Sequence, residues 1–167
     1  MDRDACIAFI RASAAASSSV TRFLLVSYIQ SRSSPPNWWS ASSWVYAQST
    51  QGSLSRYHAA KLAADQALFE IARDDKIKGK WTALDLRPGT LADEELEGPV
   101  ELGRTKESKG KVGRKTVASV VDALLASEGF RTCALDLLGG GEGVEDAVER
   151  ALKERVTSFD GISEGLR

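Results

Sequence analysis

The sequence predicts an α/β chain built on a parallel sheet of about three core strands with helices flanking it. Three observations predict it. Short unbroken apolar runs occur at 22–28, 81–87 and 131–138, the pattern of strands buried on both faces. The segments between them carry apolar residues at helical spacing. Helix and strand alternate along the whole chain, and right-handed crossovers convert such alternation into a parallel sheet.

Taken in order, 2–16 predicts a helix, because Cys6, Phe9, Ile10 and Ala14 recur near helical spacing in an alanine-rich stretch. Ser17, Ser18 and Ser19 end it. RFLLVSY at 22–28 predicts the first strand. Residues 29–52 hold Pro35, Pro36, Trp38, Trp39, Trp44 and many serines, which predicts an ordered loop, since the tryptophans carry too much apolar surface to leave in water. They either line a substrate site or pack the loop. A helix is expected over 53–74, with Ala60, Ala64, Ala67, Leu68 and Ile71 as its apolar stripe. WTALDLR at 81–87 predicts the second strand, stopped by Pro88 and Gly89. An acidic loop follows over 89–98, with Asp93, Glu94, Glu95 and Glu97, then a hairpin over 99–112 with a basic turn. Val117, Val120, Val121, Leu124 and Leu125 share one face of a helix over 114–127. RTCALDLL at 131–138 predicts the third strand, and Gly139, Gly140 and Gly141 turn the chain into a last amphipathic helix marked by Val144, Ala147, Val148, Ala151 and Leu152. One domain is expected over 1–156, with a frayed tail over 157–167.

Composition removes several classes of function. Lys plus Arg number 22 against 23 for Asp plus Glu, without the positive excess of a nucleic-acid or membrane-surface binder. No apolar run reaches the ~18 residues of a membrane span, and Met-Asp-Arg-Asp lacks the basic region of a secretory signal. A cytoplasmic protein is the expectation. Cys6 and Cys133 are the two cysteines and His58 the one histidine. Buried reduced thiols are expected, with neither a metal cluster nor a Ser-His-Asp triad. The cluster Gly139–Gly143 lacks the Lys-Ser/Thr of a phosphate loop, and its Glu142 and nearby Glu145 would repel phosphate. It reads as a turn and helix start. The basic stretch 104–115 reads as a solvated hairpin, and His58 as a residue facing solvent.

The sharpest motif is Tyr57-His-Ala-Ala-Lys61. Four residues apart on a helix, a phenol and an ammonium lie on one face. The ammonium favours the phenolate, so such a tyrosine can exchange a proton with a carbonyl or hydroxyl near neutral pH. Lys61 can also hydrogen-bond a ribose. Ser27, closing the first strand, is the candidate for a hydroxyl oriented to the same carbonyl. Ligands of open α/β sheets bind at the carboxyl ends of strands.

RFLLVS, a loop, YHAAKLAADQAL, LDLRPGTLAD and VGRKTVASVVDALLAS follow one another in this order. That series resembles the second half of an atypical, NmrA-like short-chain dehydrogenase/reductase, and DRDACIAFI resembles the helix before its first strand. The resemblance covers roughly residues 2–153. It implies an incomplete doubly wound parallel sheet, the C-terminal part of a Rossmann fold binding NADP or NAD. It implies Tyr57 as acid/base, Lys61 as its tuner and ribose contact, and Ser27 as hydroxyl partner. Arg87, Pro88, Gly89 and Thr90 would pass beside the nicotinamide, with 29–52 and 90–113 on the side of a small-molecule substrate.

Two features depart from the family. No G-x-x-G-x-x-G follows a strand, so the backbone amides that grip a pyrophosphate are absent and weak or absent cofactor binding is expected. Ser27 precedes Tyr57 by 30 positions, longer than the family spacing. The expectations for function are therefore an oxidoreductase impaired by loss of the dinucleotide-binding half, a non-catalytic regulatory module of NmrA type, or a truncated fragment with a vestigial site. About four further parallel strands would lie beyond the first strand in a whole member, so that strand is expected to be an exposed edge prone to self-association.

Overall fold

The computed structural model describes residues 3–93 and 98–162. The described residues form six strands and five helices, in the order α1 (Asp4–Ala15), β1 (Arg22–Val26), α2 (Ala41–Ser53), α3 (Ser55–Ala72), β2 (Thr82–Pro88), β3 (Thr90–Ala92), β4 (Val100–Gly103), β5 (Lys111–Gly113), α4 (Arg114–Ala126), β6 (Cys133–Gly139) and α5 (Val144–Lys153). The main sheet has the order β1-β2-β6-β4. β1, β2 and β6 are parallel, with Leu25 beside Asp85 and Asp85 beside Ala134. β4 joins β6 antiparallel. The α/β class and the mostly parallel sheet are as the alternation predicts.

Side chains of β2 and β6 alternate between two apolar layers, as the period of two requires. Leu84, Leu86, Leu135 and Leu137 meet Val117, Val120 and Leu124 of α4 and Val148 and Ala151 of α5. On the opposite face Leu25, Ala83 and Ala134 meet Ile10 and Ala14 of α1 and Ala64 and Leu68 of α3. Alanines on α3 let that helix lie close to the strands, which seats its N-terminal turns over their carboxyl ends. β1 is an outer strand, as expected, and no helix of the described residues is long and apolar enough to cross a membrane.

Four expectations change. The loop over 29–52 contains α2, started by Ser40, whose hydroxyl accepts from Ser43 N at 3.1 Å. Serines are poor interior helix residues because they compete for the backbone, which hid the helix. Tertiary bonds hold it instead: Ser108 N donates to Ser43 Oγ at 2.7 Å and Ser108 Oγ to Ser43 O at 2.6 Å. Trp39 is buried, with Nε1 donating to Thr105 O at 3.2 Å, so of the two roles open to the tryptophans it has that of packing the loop.

The 99–112 hairpin does not form. β4 pairs with β6, whereas β5 pairs with β3 in a separate two-stranded parallel sheet. Local alternation identifies a strand but not its partner. Thr105 and Ser108 in the connection are buried, so it is not a solvated turn. The first part of the expected frayed tail is also ordered. Ser158 and Ile162 are fully buried, and Phe159 meets Phe69 edge-on at 4.5 Å. Apolar residues spaced too irregularly to show a period seal the end of α3. Finally, Cys6 is only half-buried, while the Cys133 thiol is enclosed and burial pushes it up to about 12. Glu94, Glu95 and Glu97 of the acidic loop and 163–167 of the tail lie outside the described residues.

The glycine cluster is a close-approach turn. Gly140 N donates to Pro99 O at 3.0 Å, and a Cβ there would meet Val100 O at 2.5 Å. Glycine is required because β4 passes against it.

Candidate active site

β1 ends where α3 begins to cover the sheet, and the backbone continues to ladder beyond the strand. Ser27 N donates to Leu86 O at 2.8 Å and Ile29 N to Pro88 O at 2.9 Å. This carries Ser27 and Tyr28 to the carboxyl end of the sheet beneath α3. Tyr57, Lys61 and Asp65 lie at four-residue steps on α3, one face of the helix. Lys61 is buried and its Nζ donates to Val26 O at 2.7 Å. The ammonium is thereby held at the end of β1. Tyr57 is 39% exposed, and its ring centroid lies 5.1 Å from that of Tyr28. The structure thus brings Tyr57, Lys61 and Ser27 to one end of the sheet.

The Ser27 hydroxyl is engaged. It donates to Asp65 Oδ2 at 2.8 Å, as does Ser31 Oγ at 2.5 Å. Arg87 is wholly enclosed rather than open to a cofactor. Its guanidinium donates to Ile29 O at 3.1 Å and lies 3.5 Å from Asp136. Arg87 belongs to β2, whose alternation turns it toward the α3 face and away from solvent. Pro88 is buried at the end of β2, Gly89 N donates to Leu137 O, and Thr90 is exposed with its N–H on Gly110 O. His58 is half-buried, not solvent-facing, with Nδ1 2.6 Å from Tyr28 Oη.

Sequence reasoning missed Tyr28, His58, Asp65 and Asp85. The signal for Asp65 was present, one turn beyond Lys61 on the same stripe. Asp85 was hidden inside an apolar run. It projects from the middle of β2 between Leu25 and Ala134 of the neighbouring strands, and neither oxygen has a hydrogen-bond partner, nor has Asp65 Oδ1. Burial drives both carboxyls upward, and for Asp85 the nearby Asp65 adds to it, while Arg87 and Lys61 oppose the shift. A carboxyl whose folded value is raised keeps its stability in acid and loses it as pH climbs through that value. Removing the charge with Asp85→Asn is therefore expected to flatten the decline in stability from ~pH 4 upward and to make the protein more stable than wild type at neutral pH. Urea denaturation at acid and neutral pH measures both; an unchanged slope contradicts it.

In open, mostly parallel α/β sheets ligands bind at the carboxyl ends of the strands, and the Tyr57–Lys61 turn of α3 is seated there. The chain belongs to the NAD(P)H-binding family, whose sequence profile matches residues 2–128. Among solved structures it is similar to the oxidoreductase ylbE from Lactococcus lactis, at 22% identity and TM-score 0.69, covering 92% of this chain and 61% of that one. It is similar also to a protein provisionally assigned as an NAD-dependent epimerase/dehydratase from Bacillus halodurans, at 22% identity and TM-score 0.64, covering 90% and 60%. A short-chain dehydrogenase/reductase from Veillonella parvula in complex with NADP aligns at 14% identity and TM-score 0.53, covering 81% and 58%. At these identities the likeness shows the fold. The chain spans about three fifths of the length of the first two structures. No curated protein matches it.

Proposed function

We propose that this chain carries the acid/base half of an NAD(P)-dependent oxidoreductase acting on a carbonyl or hydroxyl of a small molecule, akin to the atypical NmrA-like short-chain dehydrogenases/reductases. The observation that carries it is the placement of Tyr57 one helical turn from Lys61, with Lys61 Nζ fixed at the carboxyl end of β1. The residues present suit the nicotinamide–ribose end of the cofactor: a buried ammonium at a strand end, a phenol one helical turn before it, and the Pro88–Thr90 segment, whose Pro88 O accepts from Ile29 N beyond β1. They do not supply a pyrophosphate grip: no G-x-x-G-x-x-G follows a strand, and the glycine turn after β6 carries Glu142, which would repel phosphate. Those donors would have to come from outside these 167 residues.

When bound, the nicotinamide supplies or accepts a hydride. Tyr57 gives its phenolic proton to a carbonyl oxygen in reduction and takes it back in oxidation. Lys61 favours the phenolate left behind and offers a donor to a ribose hydroxyl. Ser27 orients the same oxygen only if its hydroxyl turns from Asp65. That engagement favours a second reading, a regulatory module of NmrA type that binds the cofactor without turnover, or a vestigial site.

Titrating NADPH and NADH while following thermal unfolding tests the proposal. Binding at a hundredfold excess over Kd stabilises by ~2.7 kcal/mol. Because the pyrophosphate donors are lacking, at most a small rise in Tm is expected, and no rise at millimolar concentration removes an autonomous reductase. The outer strand β1 is also expected to associate with a second copy. Sedimentation should show a concentration-dependent dimer, and a monomer at every concentration would contradict that.

A further inference from the structure

Tyr28 sits between Ser27 and Ile29, both of which hydrogen-bond through their N–H groups to β2. It is therefore anchored on the sheet rather than on the helix. Its ring is buried and lies 5.1 Å from the Tyr57 ring, tilted by 55°. Its Oη is 2.6 Å from His58 Nδ1, and the two rings meet edge-on at 6.2 Å. His58 N donates to Leu54 O within the opening turn of α3. One sheet-anchored aromatic thus touches both members of the Tyr57-His58 pair.

We propose that Tyr28 and His58 form a positioning dyad for Tyr57: Tyr28 donates its hydroxyl to a neutral His58 Nδ1, and its ring is the platform that fixes the Tyr57 phenol over the strand ends. This rests on the reading of Tyr57 as the proton-transfer group. An imidazolium carries a proton on both nitrogens, so Nδ1 accepts only in the neutral tautomer protonated at Nε2. Burial supports that state, holding His58 below its ordinary value. It also holds the Tyr28 phenol well above the usual range, helped by Tyr57 and Asp65 and opposed by Arg87. Among the described residues, Tyr57, Asp65 and Arg87 act on the Tyr28 phenol, and Lys61 lies on the next turn of α3. Because the folded state holds His58 neutral, the bond's contribution is whole above the ordinary histidine range and declines as pH falls from ~6.5 toward the depressed value.

His58 is the sole histidine and Tyr57 one of three tyrosines, so ring ¹⁵N and ¹³C NMR of the full chain can follow both, with Tyr→Phe variants assigning the tyrosines. The expected result is an Nε2–H tautomer with a midpoint below 6.5, and Tyr57 signals that shift with the same midpoint. Tyr28→Phe keeps the ring but loses the hydroxyl. It should return the His58 midpoint toward the ordinary value and uncouple Tyr57 from it. His58→Asn, whose amide oxygen can accept the same hydroxyl, should keep the wild-type Tyr57 signals where His58→Leu does not; if the leucine variant fails to fold, Tyr28→Phe decides. Tyr57 signals that ignore His58, or a His58 midpoint unmoved by Tyr28→Phe, overturn the dyad. Coupling without any NAD(P)H-dependent turnover supports the dyad and favours the regulatory module over the oxidoreductase. Turnover that needs Tyr57 yet keeps kcat within about twofold in Tyr28→Phe does the reverse.

Discussion

Asp136→Ala is expected to cost ~3–5 kcal/mol, the range for stripping one partner from a buried ion pair. Asp136 lies on β6 with no exposure, and both its oxygens accept from Arg32 Nη2, at 3.0 and 2.7 Å. Arg87 Nε approaches the first of them to 3.5 Å and Ser158 Oγ donates to it at 3.2 Å. Arg32 is equally enclosed, its guanidinium 5.4 and 4.8 Å from the ring centroids of Trp38 and Trp39. It also donates to the carbonyls of Ser158 and Asp160. Burial and the neighbouring Arg87 pull Arg32 down to about 10, so it remains charged at neutral pH. One carboxylate therefore ties the segment after β1, β2, β6 and the C-terminal segment. Without it two enclosed guanidinium groups face each other with no direct counter-ion. A domain of this size has ~5–15 kcal/mol in all, so the variant should be marginal or unfolded. Asp136→Asn retains an acceptor and should lose less. Urea midpoints compare them, and a loss below ~1 kcal/mol for the alanine variant would mean the cluster is not structural.

Tyr57→Phe carries the largest expected functional effect. The phenol is partly exposed at the start of α3, so removing one oxygen should leave folding nearly untouched. On the proposed chemistry it removes the proton donor, and turnover should fall by ~10²–10⁴. Cofactor binding should persist, because Lys61 still offers its ammonium at the end of β1. Steady-state rates paired with thermal shifts separate the two effects. Equal turnover in the variant would assign proton transfer to another group.

The elements that sequence revealed were those whose burial leaves a local pattern. β1, β2 and β6 were legible as unbroken apolar runs, and α1, α3, α4 and α5 because their apolar residues repeat at the helix spacing. α2 was not, because Ser43 and its neighbours depend on bonds to Ser108 and Glu107, distant in sequence. At the site, Tyr57 and Lys61 were legible because one helix sets their spacing. The Ser27–Asp65 bond spans 38 positions and the Tyr28–His58 contact spans 30, and no local pattern announces either. For Arg87, LDLRPG tells where the backbone runs, while the alternation of β2 decides that its side chain turns inward.

The central claim is that a cofactor's nicotinamide end meets Tyr57 and Lys61 at the carboxyl end of β1. Chemical-shift mapping of the labelled chain during NADPH or NADH titration tests it most directly. The account predicts saturable shifts concentrated at Ser27, Tyr57, Lys61 and the Pro88–Thr90 segment. Saturable shifts confined to the opposite end of the sheet, or none at millimolar cofactor, would contradict it.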